Sequence, residues 1–358
     1  MSEGMERQKD DFDRQFDNPQ KMRMGPVEIA LRTIRPPKLQ DRLENKPPVV
    51  IAGGFGHSWK VYAHIAKEFY RGGRTTMLYN IPPHQGANFV LPNEEGAALK
   101  EFIEPNPEEA WDAVMLLEVM RKQEVKQIDV LAHSRGFIYV AIAAILDDKR
   151  AEIEARKNGP PKRKNLIRKI LAYGPAGLTE HETKTRLVRG ARRQDGTPAE
   201  WAEVPEEIQK EVSTPEMLAK RKAAEAKGFF EYGPFDAERA AIDKHTKAVR
   251  GKEGFKEAME NPLRVYEQIE GVAAANMLPV LKKLHDIGVK VTIVLPDQDT
   301  VYPKDRIIPD PDKATPQEKA RWEEIKRYAA ITTLPGQHSA VADDPQVARI
   351  ALSQLSQP

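Results

Sequence analysis

The sequence of 358 residues contains no cysteine. That single absence excludes disulfides, thiolate metal sites and cysteine nucleophiles together. Long apolar runs are missing as well, with no continuously hydrophobic window of about 18 residues, so no membrane-spanning helix is expected. Met1 to Met24 is charged and has no apolar h-region, which reads as the absence of a secretory signal and suggests a cytoplasmic protein. An excess of one charge is also lacking. The 56 Lys and Arg face 54 Asp and Glu, and a net +2 provides no basic field for nucleic acid or an anionic membrane. There is no CxxC, HExxH, P-loop or GxGxxG, and hence no motif for a metal or a nucleotide cofactor.

What the chain does contain is alternation. Val27, Ile29 and Leu31 suggest a short half-buried strand, and apolar runs follow at Val49–Ala52, Thr75–Tyr79, Gln127–His133, Lys169–Tyr173, Lys290–Leu295 and Ala330–Leu334. Each is four to seven residues long, and helix-length segments separate most of them. The expected fold class is therefore α/β, a mostly parallel central sheet flanked by helices. Asn261-Pro262, Thr315-Pro316-Gln317-Glu318 and Asp344-Pro345 read as helix starts. Residues 1–24, polar and mixed in charge, read as a frayed tail. The segment 180–260 has 33 charged residues among its 81 and no convincing strand. It reads as a helical insertion rather than a linker, because a structureless stretch of this length inside a domain is improbable.

The most informative stretch is Ile128-Asp129-Val130-Leu131-Ala132-His133-Ser134-Arg135-Gly136-Phe137. A strand runs directly into a helix, and the turn reads small-x-Ser-x-Gly. A nucleophile at such a turn has strained backbone angles, and large side chains two positions away on either side would clash. About 0.07 chance matches are expected in a chain of this composition. The turn lifts the serine oxygen clear of the sheet and leaves the N–H of Arg135 free to receive an oxyanion.

With these features the sequence resembles the α/β-hydrolase superfamily, most closely its serine esterase and lipase-like members. Val49-Val50-Ile51-Ala52-Gly53-Gly54-Phe55-Gly56 is similar to that family's strand and following His-Gly-type loop, with Gly53 in place of the usual His. The resemblance implies a second oxyanion donor at the N–H of Phe55 or, as the lesser candidate, Gly54. Ile293-Val294-Leu295-Pro296-Asp297-Gln298-Asp299 and the following Pro303 resemble the acid loop, with Asp299 favoured over Asp297. Leu334-Pro335-Gly336-Gln337-His338-Ser339 resembles the loop of the catalytic histidine. Ser134, Asp299 and His338 then follow the chain order of this fold.

The implied organisation is a core at 25–178 and 262–358 with a helical cap at 179–261. The implied activity is cleavage of a small-molecule carboxylic ester or related acyl bond, with no metal and no organic cofactor. His57 could contact substrate, although capping a turn is its plainer role. Phe229 and Phe230 could line an acyl pocket or simply hold the cap together. The Arg135 side chain could bind a substrate anion or point outward from the surface. His133, beside the nucleophile, is expected to point away from the elbow. A second function class is a binding or scaffold protein on a hydrolase fold, with the charged cap as its partner surface.

Overall fold

The computed structural model describes residues 11–24, 27–37, 46–54, 59–81, 91–104, 107–159, 165–179 and 262–356, with Glu182, Thr183, Leu187 and Pro215 besides. Among these residues there are eight strands, β1 (Gln20–Met24), β2 (Val27–Ile34), β3 (Val49–Ala52), β4 (Thr76–Tyr79), β5 (Ile128–His133), β6 (Ile167–Tyr173), β7 (Lys290–Pro296) and β8 (Ala330–Leu334). They form one sheet in the order β1-β2-β4-β3-β5-β6-β7-β8. β2 pairs antiparallel with β1 and β4, and every other pairing is parallel. The expected α/β class and mostly parallel sheet are what the chain adopts.

The two faces of the sheet follow from the period of two in its strands. Val50, Ala52, Val130, Ala132, Ile170 and Ala172 join one core, while Val49, Ile51, Leu131 and Leu171 join the other. The first core is covered by α3 (Asn93–Lys100), α4 (Pro107–Lys122), α5 (Gly136–Asn158) and the helix Met277–Asp286. The second is covered by α1 (Asp11–Asp17), α2 (Ala63–Arg71) and the C-terminal helix Pro345–Ser356. Covering both faces makes the central strands largely apolar, and all six residues of β5 are buried. The Thr315 capping box is formed as its sequence indicates.

Residues 11–24 correct the expectation of a frayed tail. Phe12 and Phe16, one helical turn apart, stack at 5.3 Å and are buried against the second core. Phe16 also meets Trp59 edge-on at 4.9 Å, and its carbonyl accepts from Arg32 Nε at 2.9 Å. Gln15 exchanges hydrogen bonds with the backbone of Arg35 in both directions. Phe16→Ala should therefore cost about 3 kcal/mol in chemical denaturation, the scale for emptying a buried aromatic site. A dangling tail would register less than about 0.5 kcal/mol.

The proposed cap at 179–261, with Phe229 and Phe230, lies outside the described residues except for Thr179, Glu182, Thr183, Leu187 and Pro215. Among the described residues no helix is long and apolar enough to cross a membrane.

Candidate active site

The strand order reverses between β3 and β5: from β3 the chain crosses to β4 on one side, then returns to place β5 on the other. In open α/β sheets the ligand crevice forms beyond the strand ends at such a switch point. Ser134 stands there, immediately after β5. Its φ of 54° lies in the left-handed region, and only one other described non-glycine residue, Glu124, has positive φ. For a residue with a Cβ this conformation costs about 1–2 kcal/mol. The surroundings hold it in place. Ser134 N–H donates to the Tyr173 carbonyl at 3.0 Å, and the Ser134 carbonyl accepts from Phe137 and Ala176 N–H groups. A Cβ on Gly136 would stand 2.4 Å from the Ala52 carbonyl oxygen, so the elbow and the end of β3 close together only because residue 136 is glycine. From Gly136 to Asp147 every residue of α5 is buried, which anchors the turn from behind.

His338 and Asp299 meet in the loops after β8 and β7. His338 Nδ1 lies 2.8 Å from Asp299 Oδ2. The other carboxylate oxygen of Asp299 accepts the N–H groups of Val301 at 2.7 Å and Tyr302 at 2.8 Å. Because the carboxylate only accepts, Nδ1 carries the proton and Nε2 is left as the basic nitrogen. The imidazole is flanked by the rings of His133, at 4.8 Å, and Tyr302, at 5.2 Å. Asp297 has a different partner: it is exposed, and its Oδ1 accepts Gly336 N–H at 3.0 Å, tying the two loops together. Geometry thus selects Asp299 of the two candidates as the residue on the histidine ring.

Gly174 closes this arrangement. It follows Tyr173, whose carbonyl holds Ser134 N–H, and it has a φ of +49°. A Cβ there would lie 2.7 Å from His338 Nδ1 and 3.0 Å from Asp299 Oδ2. Gly174→Ala should therefore push the imidazole off its carboxylate. We expect turnover to fall on the order of 100-fold, the cost of a displacement of about 1 Å, measured by steady-state kinetics. Full activity would contradict this placement.

No family model matches the sequence, and no curated protein matches it significantly. Solved structures do match over nearly the whole chain. A bromoperoxidase from Bacillus anthracis aligns with 94% of this chain and 99% of its own, at 14% identity and a TM-score of 0.50. A hydrolase from Oleispira antarctica covers 92% and 94%, at 12% identity and the same score of 0.50. Cfl2 from Burkholderia cenocepacia covers 94% and 95%, at 14% identity and 0.50. The chain has the α/β-hydrolase fold. At these identities the likeness is one of architecture, and the chemistry rests on the chain's own residues.

Three sequence expectations change. Gly54, the lesser oxyanion candidate, donates its N–H to Tyr62 Oη at 2.9 Å, so it is already engaged. Phe55 and His57 lie outside the described residues. Arg135 neither faces solvent nor awaits an anion. Its side chain is 4% exposed, with Nε donating to Glu109 Oε1 at 3.0 Å and a second nitrogen 2.7 Å from Asp112 Oδ2. Its backbone N–H makes no hydrogen bond among the described residues. Burial opposes the guanidinium charge, but Asp112 and Glu109 outweigh it and hold the pKa above the ordinary arginine value. His133, expected to turn away, lies against the His338 loop instead.

The sequence gives little sign of this buried acidic pair. Glu108, Glu109 and Asp112 lie in the first turns of α4 and all three are buried, Glu109 and Asp112 being the pair on Arg135. Burial pushes the Glu109 carboxyl up to about 7, with Arg135 opposing the shift. A carboxyl raised above its unfolded value disfavours the folded state once ionised. Stability should therefore decline as pH rises from about 4.5 towards 7 and stay lower above that. In Glu109→Gln this slope should flatten, because residue 109 no longer titrates. Denaturation at pH 5, 7 and 8 measures it; an unchanged slope would contradict the assignment.

Proposed function

We propose that this α/β-hydrolase chain is a serine hydrolase that cleaves a carboxylic ester or a related acyl bond. Ser134 Oγ attacks the carbonyl carbon as His338 Nε2 removes its proton. Asp299 holds the imidazole in the tautomer this requires and stabilises the imidazolium. The developing oxyanion is received by the N–H of Arg135 and by that of Phe55. His338 then protonates the leaving alcohol, and water attacks the acyl-serine by the same route in reverse. Phe229, Phe230 and His57 are proposed to line the substrate side.

The observation that carries this reading is the strained φ of Ser134 at the strand-to-helix turn. Strain at a residue that merely capped a helix would have been relieved by glycine, whereas a nucleophile needs both the turn and its hydroxyl. A scaffold that only bound a partner would have no use for it. The test is rapid mixing with an activated nitrophenyl ester. We expect the alcohol to appear with formation of an acylated chain, detected by intact-mass measurement of quenched samples. Turnover with no acylated protein at any time would contradict the mechanism.

A further inference from the structure

Three hydrogen bonds, two of them buried and the one at Gly54 part-buried, link Gly54, just after β3, to the histidine loop. Gly54 N–H donates to Tyr62 Oη at 2.9 Å, Tyr62 Oη lies 2.9 Å from His133 Nδ1, and His133 Nε2 lies 2.9 Å from the carbonyl oxygen of His338. Tyr62 is 2% exposed and His133 is fully buried. The direction of each bond follows from elementary chemistry. A carbonyl cannot donate, so His133 Nε2 must carry the proton. In the neutral ring Nδ1 is then an acceptor, and the Tyr62 hydroxyl donates to it. That leaves the lone pairs of the tyrosine oxygen for Gly54 N–H. The tautomer of His133 is thereby fixed from both ends.

We infer that His133 and Tyr62 are positioning residues that hold Gly54, just after β3, and His338 in register about Ser134. This rests on the proposed serine hydrolase reading and adds to it. Gly54 immediately precedes Phe55, the proposed donor, so fixing the Gly54 N–H removes freedom one peptide away from that donor. Farther along the chain, Trp59 N–H donates to Asn80 Oδ1 at 2.9 Å. At the other end of the chain of bonds, His133 grips the main chain of His338, and its ring lies against the catalytic imidazole at 4.8 Å. His133 is the residue before the nucleophile, so a single dipeptide, His133-Ser134, carries both the attacking hydroxyl and the strut between its two supporting loops. The sequence alone gives no spacing rule for this, because Tyr62 and His338 lie 71 and 205 residues away from His133.

A strut of this kind acts on transition-state stabilisation rather than on substrate affinity. Tyr62→Phe removes the Gly54 acceptor and the donor to His133 while leaving the ring in place. We expect kcat to fall about 10- to 100-fold, below the roughly 100- to 1,000-fold loss for deleting an oxyanion donor outright, with KM unchanged within about twofold. His133→Gln, which can still offer an N–H to the His338 carbonyl, should retain more kcat than His133→Leu. In the wild-type protein, imidazole nitrogen NMR should show His133 protonated on Nε2, and Gly54 amide exchange should accelerate in Tyr62→Phe. Wild-type kcat in Tyr62→Phe alongside faster Gly54 exchange would overturn the inference and leave the serine mechanism standing. An Nδ1-protonated His133 in the wild type would overturn it without requiring any variant to fold. Absence of ester turnover and of acylation in the wild type would instead remove the reading on which it rests.

Discussion

Ser134→Ala is expected to lose turnover on the order of 10⁶-fold, the scale reached when the nucleophile of a hydroxyl–imidazole–carboxylate set is deleted. The loss should appear in kcat with little change in KM, because the hydroxyl forms its decisive bond only along the reaction path. Folding offers an independent check on the same residue. Alanine keeps the Cβ and so keeps the cost of a φ of 54°, whereas glycine removes it. Relief of about 1–2 kcal/mol of left-handed strain exceeds the roughly 0.5–1 kcal/mol that glycine costs in chain entropy. Ser134→Gly should therefore be more stable than Ser134→Ala by up to about 1 kcal/mol in denaturant titrations, and equally inactive. A less stable glycine variant would mean that the backbone at this turn is not strained.

Asp299→Asn has the second largest expected effect, a fall in kcat of about 10⁴-fold. The hydrogen bonds dictate the direction. One oxygen of Asp299 already accepts two backbone N–H groups, from Val301 and Tyr302. An asparagine must keep its carbonyl oxygen there, so its amide N–H₂ faces His338 Nδ1. That nitrogen is then forced to accept, the ring proton moves to Nε2, and the base that should take the serine proton is blocked. Side-chain volume is conserved, so the fold should survive. Kinetics together with imidazole nitrogen NMR of His338 measure both consequences. Near-normal kcat, or an unchanged Nδ1 proton, would contradict the role assigned to Asp299.

Much of this organisation is legible in the sequence, because the sheet's apolar runs are local signals. β3 and β8 begin and end where the runs Val49–Ala52 and Ala330–Leu334 do. The turn at Ser134 is legible too, since small residues flank it for steric reasons that act within five positions. Less legible are the features that depend on distant partners. Arg135, Glu109 and Asp112 are hydrophilic side chains whose burial becomes tolerable only when α4 and the elbow bring opposite charges together. Phe12 and Phe16 carry a helical spacing that could have indicated α1, but the surrounding charges mask it. His133 gives no local sign of the loop it supports. Gly174 is another such case, because the need for glycine comes from His338 and Asp299, more than a hundred residues later.

Labelling with a fluorophosphonate probe, followed by peptide mapping, tests Ser134 as the nucleophile most directly. One adduct per chain is expected, located on Ser134, and none in Ser134→Ala. Labelling that maps to another residue, or that persists undiminished in Ser134→Ala, would contradict it.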